Sequence, residues 1–458
     1  MADADAGAAP EPAPEPAPEP PLEPGVVPLE PGIWPASTRR LSCGDLSVGG
    51  VGLVDIAAEH GTPANVLDLA EFRARCENYR RALPDTEIAY AGKALLTRAV
   101  VALVHEQGLA LDVCSEGELA LAVSAGFPVQ RIILHGNAKP PTLLSLATKL
   151  RVGRIVVDNL DEIEMLARAA HRTAPQPVLV RITPGVDAGT HRAITTGTED
   201  QKFGLSIKSG AAAAAVRRIL ALPALRLVGL HCHIGSQVSA VEPYVEAVRR
   251  TVNFLAAVRD EHGVTLEQLN IGGGHAIAYT PADAEMRIDR LASAVRGALG
   301  HSCAQHDMSV PRLTVEPGRA IAGPSGVTVY TVLNVKHAGA RTWVAVDGGM
   351  SDNPRPALYG ARYIARLVGR VSSAATEPVT VVGRHCESGD ILIDSVRLPA
   401  DVHVGDLLAV PATGAYQHAM ASNYNHTPRP PLVGVDNGRS RVLVRRETVA
   451  DLLSRDVG

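Results

Sequence analysis

What this 458-residue chain lacks narrows its role before any motif is read. It has no surplus of positive charge. A net charge of −4 with a pI near 6.5 argues against nucleic acid or an anionic membrane as partner, because both require a concentrated basic surface. The six cysteines contain no CxxC pair, a pattern that fits reduced thiols in a cytoplasmic protein better than a disulfide framework. No apolar run is long enough to span a bilayer, and the N-terminus has no basic segment followed by an apolar one, so neither a membrane span nor a secretory signal is expected. Apolar residues, by contrast, make up 46% of the chain, enough at this length to bury a large core in about two or three domains.

Residues 1–32 repeat Ala, Pro and Glu in PAPEP units. That composition favours extended chain and cannot bury enough apolar area to fold, so a disordered tail is expected. From Ile88 to Arg319 one unit recurs: a strand of β-branched and aliphatic residues, then a helix with apolar residues three and four apart. The strands are Ile88–Lys93, Leu109–Ser115, Arg131–Asn137, Arg154–Asn159, Val178–Gly185, Leu225–Ser236, Leu266–Gly274 and Arg312–Arg319. Intervening helices include Thr97–Gln107, Leu160–Arg172, Val241–His262 and Ala284–Leu299. Strict alternation predicts parallel strands with helical crossovers, and eight units is the count at which a sheet closes into a (β/α)8 TIM-like barrel. After Arg319, strands such as Val327–Lys336 and Arg441–Arg446 follow without long helices, the pattern of a mostly antiparallel C-terminal β domain. The expected α/β organisation is a tail at 1–32, an N-terminal segment at 33–68 joining the β domain, a barrel at 69–322 and the β domain at 323–458. Within the N-terminal segment, Leu41–Val54 has strand character.

In a barrel the loops after the strands form the active face. The strand ends carry Lys93, Asp112 with Ser115, His135 with Asn137, Asp158, Arg181, His231 with His233 and Ser236, Gly272–Gly274, and Glu316 with Arg319. Lys93 closes a short apolar run; an amine in a partly apolar site loses some of its preference for the charged form, and the neutral amine can form a Schiff base with a carbonyl. A lysine snorkelling from a strand end is the plain alternative. Gly272–Gly274 lets backbone N–H groups approach a phosphate closely, or simply makes a tight turn. Glu316 offers a carboxylate that could keep a pyridinium nitrogen protonated, or a surface ion pair with Arg319. His231 and His233 share a strand face. That spacing also suits a metal-dependent barrel hydrolase, with Asp347 or Asp352 completing the shell, but such an enzyme leaves Lys93, the glycines and Glu316 without duties.

With these residues assembled, the sequence resembles the fold-type III pyridoxal-phosphate decarboxylases, in the actinobacterial branch that acts on diaminopimelate, from about Trp34 to Asp456. The motifs are YAGKA (90–94), LDVCSEGEL (111–119), EDQKFG (199–204), GLHCHIGSQ (229–237), IGGG (271–274), EPGRAIAGP (316–324), DGGMSDNPRPALYGARY (347–363), HCESGD (385–390), GAY (414–416) and SNYN (422–425). The resemblance implies an alanine racemase-like fold, pyridoxal 5'-phosphate as cofactor, no metal, and a homodimer with active sites at its interface. The implied reaction is decarboxylation of meso-2,6-diaminopimelate to L-lysine and carbon dioxide, the last step of lysine biosynthesis. A paralogue acting on a related basic or dicarboxylic amino acid stays open.

The same resemblance implies roles. Lys93 would hold the cofactor, Glu316 would pair with its pyridinium nitrogen and His233 would stack on its ring. Ser236, Gly272, Gly273 and Gly274 would bind phosphate, with Asp112, Arg181 and Gly318 also around the cofactor. Arg319, Arg355 and Tyr359 would surround the retained carboxylate, and Tyr416 would close the site. Cys386, positioned to protonate Cα, and Glu387, facing the distal ammonium, would come from the partner subunit. An arginine that grips a carboxylate bidentately, beside an acid, favours a substrate whose distal end carries both an ammonium and a carboxylate over lysine or ornithine. The chain departs from the family at His275-Ala276-Ile277-Ala278-Tyr279, where a run such as LGIPY is usual. It departs again at Gly136-Asn137-Ala138-Lys139-Pro140 in place of GNNKS, and in the loop from Asp187 to Glu199. His275 is expected to crowd or hydrogen-bond the phosphate region.

Overall fold

The computed structural model describes residues 29–187 and 202–458; the expectations for residues 1–28 and for the loop through 188–201 lie outside the described residues. Eight strands run parallel in chain order: Glu87–Ala91, Ala110–Val113, Ile132–Leu134, Arg154–Val157, Gln176–Thr183, Leu225–His231, Gln268–Asn270 and Arg312–Val315. Each pairs with the next and the eighth pairs with the first, so the sheet closes into a barrel.

Side-chain alternation explains what fills it. Ala89, Ala110, Ile133, Val156, Leu179 and Val228, one from each of six consecutive strands, form a buried apolar cluster of their own. A strand's inward positions recur every second residue. Two residues beyond that layer the first five of these strands therefore present Ala91, Asp112, His135, Asp158 and Arg181. Arg181 is in register with His231, and His231 with Asn270. The barrel thus has an apolar plug with a polar layer directly above it, on the face where barrel enzymes place their chemistry.

Several strands are shorter than the sequence suggests. The seventh stops at Asn270 because Gly272 (φ +70°) and Gly274 (φ +96°) leave the extended region. Some polar strand ends prove to be helix caps: Ser115 accepts from the Glu118 amide, and Asn159 from the Glu162 amide.

The second sheet centres on Gly326–Ala338, which forms a hairpin with Arg341–Val346 and also pairs antiparallel with Leu407–Pro411 and Ala64–Asp68. Most of its pairings are antiparallel; Thr376–Val382 beside Arg341–Val346 and Leu432–Asp436 beside Ala64–Asp68 run parallel. The N-terminal strand in this sheet is Ala64–Asp68, not the Leu41–Val54 stretch. There Arg39–Arg40, Leu46–Val48 and Val51–Gly52 make a small antiparallel meander. Among the described residues no helix is long and apolar enough to cross a membrane.

Candidate active site

The barrel mouth and the helix and loops that connect strands of the second sheet enclose a cavity of about 490 Å³, within the size range of small-molecule sites. Lys93 enters it from a single 3-10 turn, Gly92–Ala94, that follows the first strand. The turn is clamped from both sides: Ala91 N–H donates to the Pro317 carbonyl at 3.1 Å, and Tyr416 N–H donates to the Ala94 carbonyl at 2.8 Å. Lys93 is exposed and lines this cavity, whose wall also includes Glu316, Gly273 and Gly274. The electrostatics correct the expectation for its amine. Burial pulls the ammonium pKa down, but Tyr416, Asp112 and Glu316 outweigh burial and leave it raised.

Glu316 sits at the centre of the polar layer. His135 Nε2 lies 2.8 Å from one carboxylate oxygen, Asn270 Nδ2 donates to the same oxygen at 2.6 Å, and His231 Nε2–H donates to the other at 3.2 Å. Burial alone would push this carboxyl up; His135 and His231 more than offset it and hold it well below the usual carboxylate range. His231 itself is pushed down to about 4 by burial, so it serves as a neutral donor. Asp112, 3.7 Å from His135, is pushed up to about 6, chiefly by burial. An ionised acid with fixed donors behind it is what a protonated ring nitrogen requires.

The glycine loop is a cradle by necessity. A Cβ on Gly273 would collide with the Glu316 carbonyl and one on Gly274 with the Gly235 carbonyl; on Gly272 it would fall 2.6 Å from His233 Nδ1. The loop is fixed from both ends: Glu316 N–H donates to the Gly272 carbonyl at 2.8 Å, and Gly273 N–H donates to His233 Nδ1 at 3.2 Å. Gly318 packs against Ala91 and Ala94 with no room for a side chain.

Cations line the cavity as well. Arg319 donates to Tyr279 Oη at 2.6 Å and to Ser236 Oγ at 3.0 Å, and its guanidinium lies over the Tyr416 ring at 4.6 Å. Arg355 donates to Tyr363 Oη and lies over Tyr279 at 4.5 Å. The Nε atoms of both arginines are buried with no acceptor. Arg181 stacks on Phe203 at 4.4 Å and lies 3.8 Å from Asp158. Tyr359 lines the same cavity from the end of the helix Arg355–Tyr359. The donor set therefore fits a ligand with a phosphate, a basic ring nitrogen and a carbonyl able to meet an amine: a side-chain-free cradle, a buried acid, a lysine, and guanidinium N–H groups awaiting anions.

The structure brings together Lys93, Asp112, Arg181, His233, Ser236, Gly273, Gly274, Glu316, Gly318, Arg319, Arg355, Tyr359 and Tyr416, with Gly272 adjoining. It does not bring Cys386 and Glu387 to this cavity. Both are exposed, on the turn between Thr376–Val382 and Ile391–Pro399, so Arg355 has Tyr363 rather than Glu387 as its neighbour within the chain. Ser236 is engaged by Arg319. The metal arrangement read from the sequence does not form. His231 turns to Glu316 while His233 meets the Gly273 amide, and Asp347 and Asp352 are bonded to Thr62 and Tyr330. The one group of metal-competent side chains among the described residues is His135, His231 and Glu316, already joined to one another. Of the partners of Glu316, His135 and Asn270 received no role from the sequence and His231 only that of a metal ligand, and Tyr279 and Tyr363 received none; the period of two along the strands was the signal for His135.

His275 lines the cavity beside Gly274, but not as a charged group. Its ring is buried and pushed down to about 4 from its ordinary 6.5 by desolvation alone. Above pH 6.5 it is neutral folded and unfolded alike; as pH falls toward 4 the unfolded chain binds a proton that the folded chain refuses, so stability drops. His275→Leu removes that term. Its stability relative to wild type should therefore rise by roughly 3 kcal/mol across this window, at about 1.36 kcal/mol per pH unit. Denaturant melts at stepped pH check it; a difference that is flat in pH contradicts it.

The family model described as "Pyridoxal-dependent decarboxylase, pyridoxal binding domain" matches residues 69–323. The chain is 56% identical over 429 residues to the diaminopimelate decarboxylase of Actinosynnema pretiosum subsp. auranticum, covering 94% of this chain and 96% of that one. It is 47% identical over 440 residues to the diaminopimelate decarboxylase of Mycobacterium tuberculosis, covering 94% and 98%. Among solved structures, diaminopimelate decarboxylase from M. jannaschii in complex with L-lysine superposes with a TM-score of 0.87 at 30% identity, over 93% of this chain and 98% of that one.

Proposed function

Since the chain belongs to the pyridoxal-dependent decarboxylases, we propose that it removes one carboxylate of meso-2,6-diaminopimelate as carbon dioxide and leaves L-lysine. The observation that carries this reading is the joint placement of Lys93, the ionised Glu316 and the guanidinium pair Arg319 and Arg355 around one cavity. The identity of near full-length diaminopimelate decarboxylases supports the substrate.

Pyridoxal phosphate, when bound, supplies the sink for the electron pair left as carbon dioxide departs. The chain's own residues do the remainder. Lys93 would hold the cofactor through Nζ. Glu316, kept anionic by His135, His231 and Asn270, holds a proton on the ring nitrogen and so sustains the sink. His233 would stack on the ring, and Asp112, Arg181 and Gly318, which line the same cavity, would also surround the cofactor. Gly272–Gly274 and Ser236 would take the phosphate. Arg319, Arg355 and Tyr359 orient the carboxylate that is kept, while Tyr279, Tyr363 and Tyr416 limit water around both guanidinium groups.

The remaining roles fall to a second copy. Cys386, as proton donor to Cα, and Glu387, as partner of the distal ammonium, lie away from the cavity of their own chain and would complete the site of its neighbour in a homodimer. Mixing Lys93→Ala with Cys386→Ala chains should then restore activity, to about a quarter of wild type in a random mixture where half the dimers carry one intact site. No restoration would place Cys386 in cis. Carbon dioxide release over a panel of meso-diaminopimelate, lysine, ornithine and arginine tests the substrate. Preference for diaminopimelate is expected, and equal turnover of lysine would transfer the reading to a related decarboxylase.

A further inference from the structure

Behind the glycine loop lies a polar side chain that the proposed chemistry does not use. His275 follows Gly274 directly, and its side chain is almost wholly buried. Nδ1 is 2.7 Å from Tyr79 Oη. The ring stacks on Tyr79, with centroids 5.6 Å apart and 22° between planes, and tilts against Tyr244 at 5.5 Å. Tyr244 in turn donates its Oη–H to the Gly273 carbonyl at 3.0 Å. The backbone flanking His275 is held too: Val238 N–H donates to the Gly274 carbonyl at 2.9 Å, and Ala276 N–H to the Val238 carbonyl at 3.1 Å.

Tyr79 belongs to the helix Leu69–Ala82 and Tyr244 to the helix Glu242–His262. One imidazole therefore ties the glycine loop to two outer helices. A leucine could fill much of the same volume but could not bond Tyr79 Oη, and a buried hydroxyl left without a partner costs free energy. Desolvation keeps the ring neutral at neutral pH, so it can accept the Tyr79 hydroxyl proton without adding a charge behind the loop.

On the reading that Gly272–Gly274 receive the cofactor's phosphate, we propose that His275 is a positioning residue which, through Tyr79 and Tyr244, fixes the course of the loop around Gly274 beneath that phosphate, where the N–H groups of Gly272 and Gly273 are already given to Asn270 Oδ1 and His233 Nδ1. Its influence falls on the phosphate half of the ligand and not on the aldehyde at Lys93.

Titration of the full-length, cofactor-stripped protein with pyridoxal 5'-phosphate and, separately, with pyridoxal, followed by absorbance, separates the two halves. Wild type should prefer the phosphorylated ligand strongly. Tyr79→Phe, which leaves the imidazole in place, and His275→Leu should each reduce that preference about tenfold, the scale of one buried hydrogen bond, with pyridoxal affinity unchanged. His275→Asn, whose amide oxygen can stand near the position of Nδ1, should restore most of it. Preference unchanged in Tyr79→Phe and His275→Leu, or equal loss for both ligands, overturns the positioning role. A wild-type protein that does not distinguish the two ligands overturns the glycine-loop assignment itself, and the role of His275 with it.

Discussion

Lys93→Ala is expected to purify without covalently held cofactor, to lack the visible absorbance of the wild-type protein, and to lose turnover by roughly 10⁴-fold or more, as removal of a group that forms the covalent bond usually does. The lysine is placed by the fold on three counts. The first strand delivers it to the polar layer, the Gly92–Ala94 turn swings it into the cavity, and hydrogen bonds from Ala91 to Pro317 and from Tyr416 to Ala94 fix that turn. Nothing structural should collapse on truncation, because Nζ faces the cavity rather than a packed core. Folding can be checked by circular dichroism alongside the absorbance. Retained absorbance and turnover would mean that another amine holds the cofactor.

Glu316→Gln should behave differently. Shape and most hydrogen bonding survive, and Lys93 still holds the cofactor, so absorbance persists. What is lost is the negative charge, and with it the proton on the ring nitrogen. Turnover should fall by roughly 10²-fold to 10³-fold, the range found when one preorganised electrostatic contact is removed from a buried site. Burial, which on its own would neutralise the acid, is here outweighed by His135 and His231, a cost reasonable only if the charge is used. Steady-state rates compared with cofactor content separate this variant from Lys93→Ala. Unchanged turnover would remove Glu316 from the chemistry.

Much of this was legible in the chain, and the rest was hidden for identifiable reasons. The alternation of strands and helices gave the barrel, and strand ends bearing Lys93, Asp112, Arg181 and Glu316 marked its mouth, because a parallel barrel puts the C-terminal ends of all strands on one face. Ala64–Asp68 was not legible as the strand that joins the second sheet: all its residues are buried, so it shows no alternation. Ser115 could not be told from a functional hydroxyl, since a strand end is also where the next helix needs its cap. The raised pKa of Lys93 depends on Tyr416, which lies in the loop after Leu407–Pro411 of the second sheet, far along the sequence. Local composition around Ile88–Lys93 carries no trace of that neighbour. His275 was noticed as a departure, but its real contacts, Tyr79 and Tyr244, lie on two helices that only the closed barrel brings together.

The central claim, a cofactor held at Lys93 above Glu316 and beside the glycine cradle, meets its most direct test in borohydride reduction of the purified protein followed by peptide mass mapping. A single phosphopyridoxyl label is predicted on the peptide containing Lys93. Label at Lys139, Lys149, Lys202, Lys208 or Lys336 instead, or no label on a protein that carries cofactor, would contradict it.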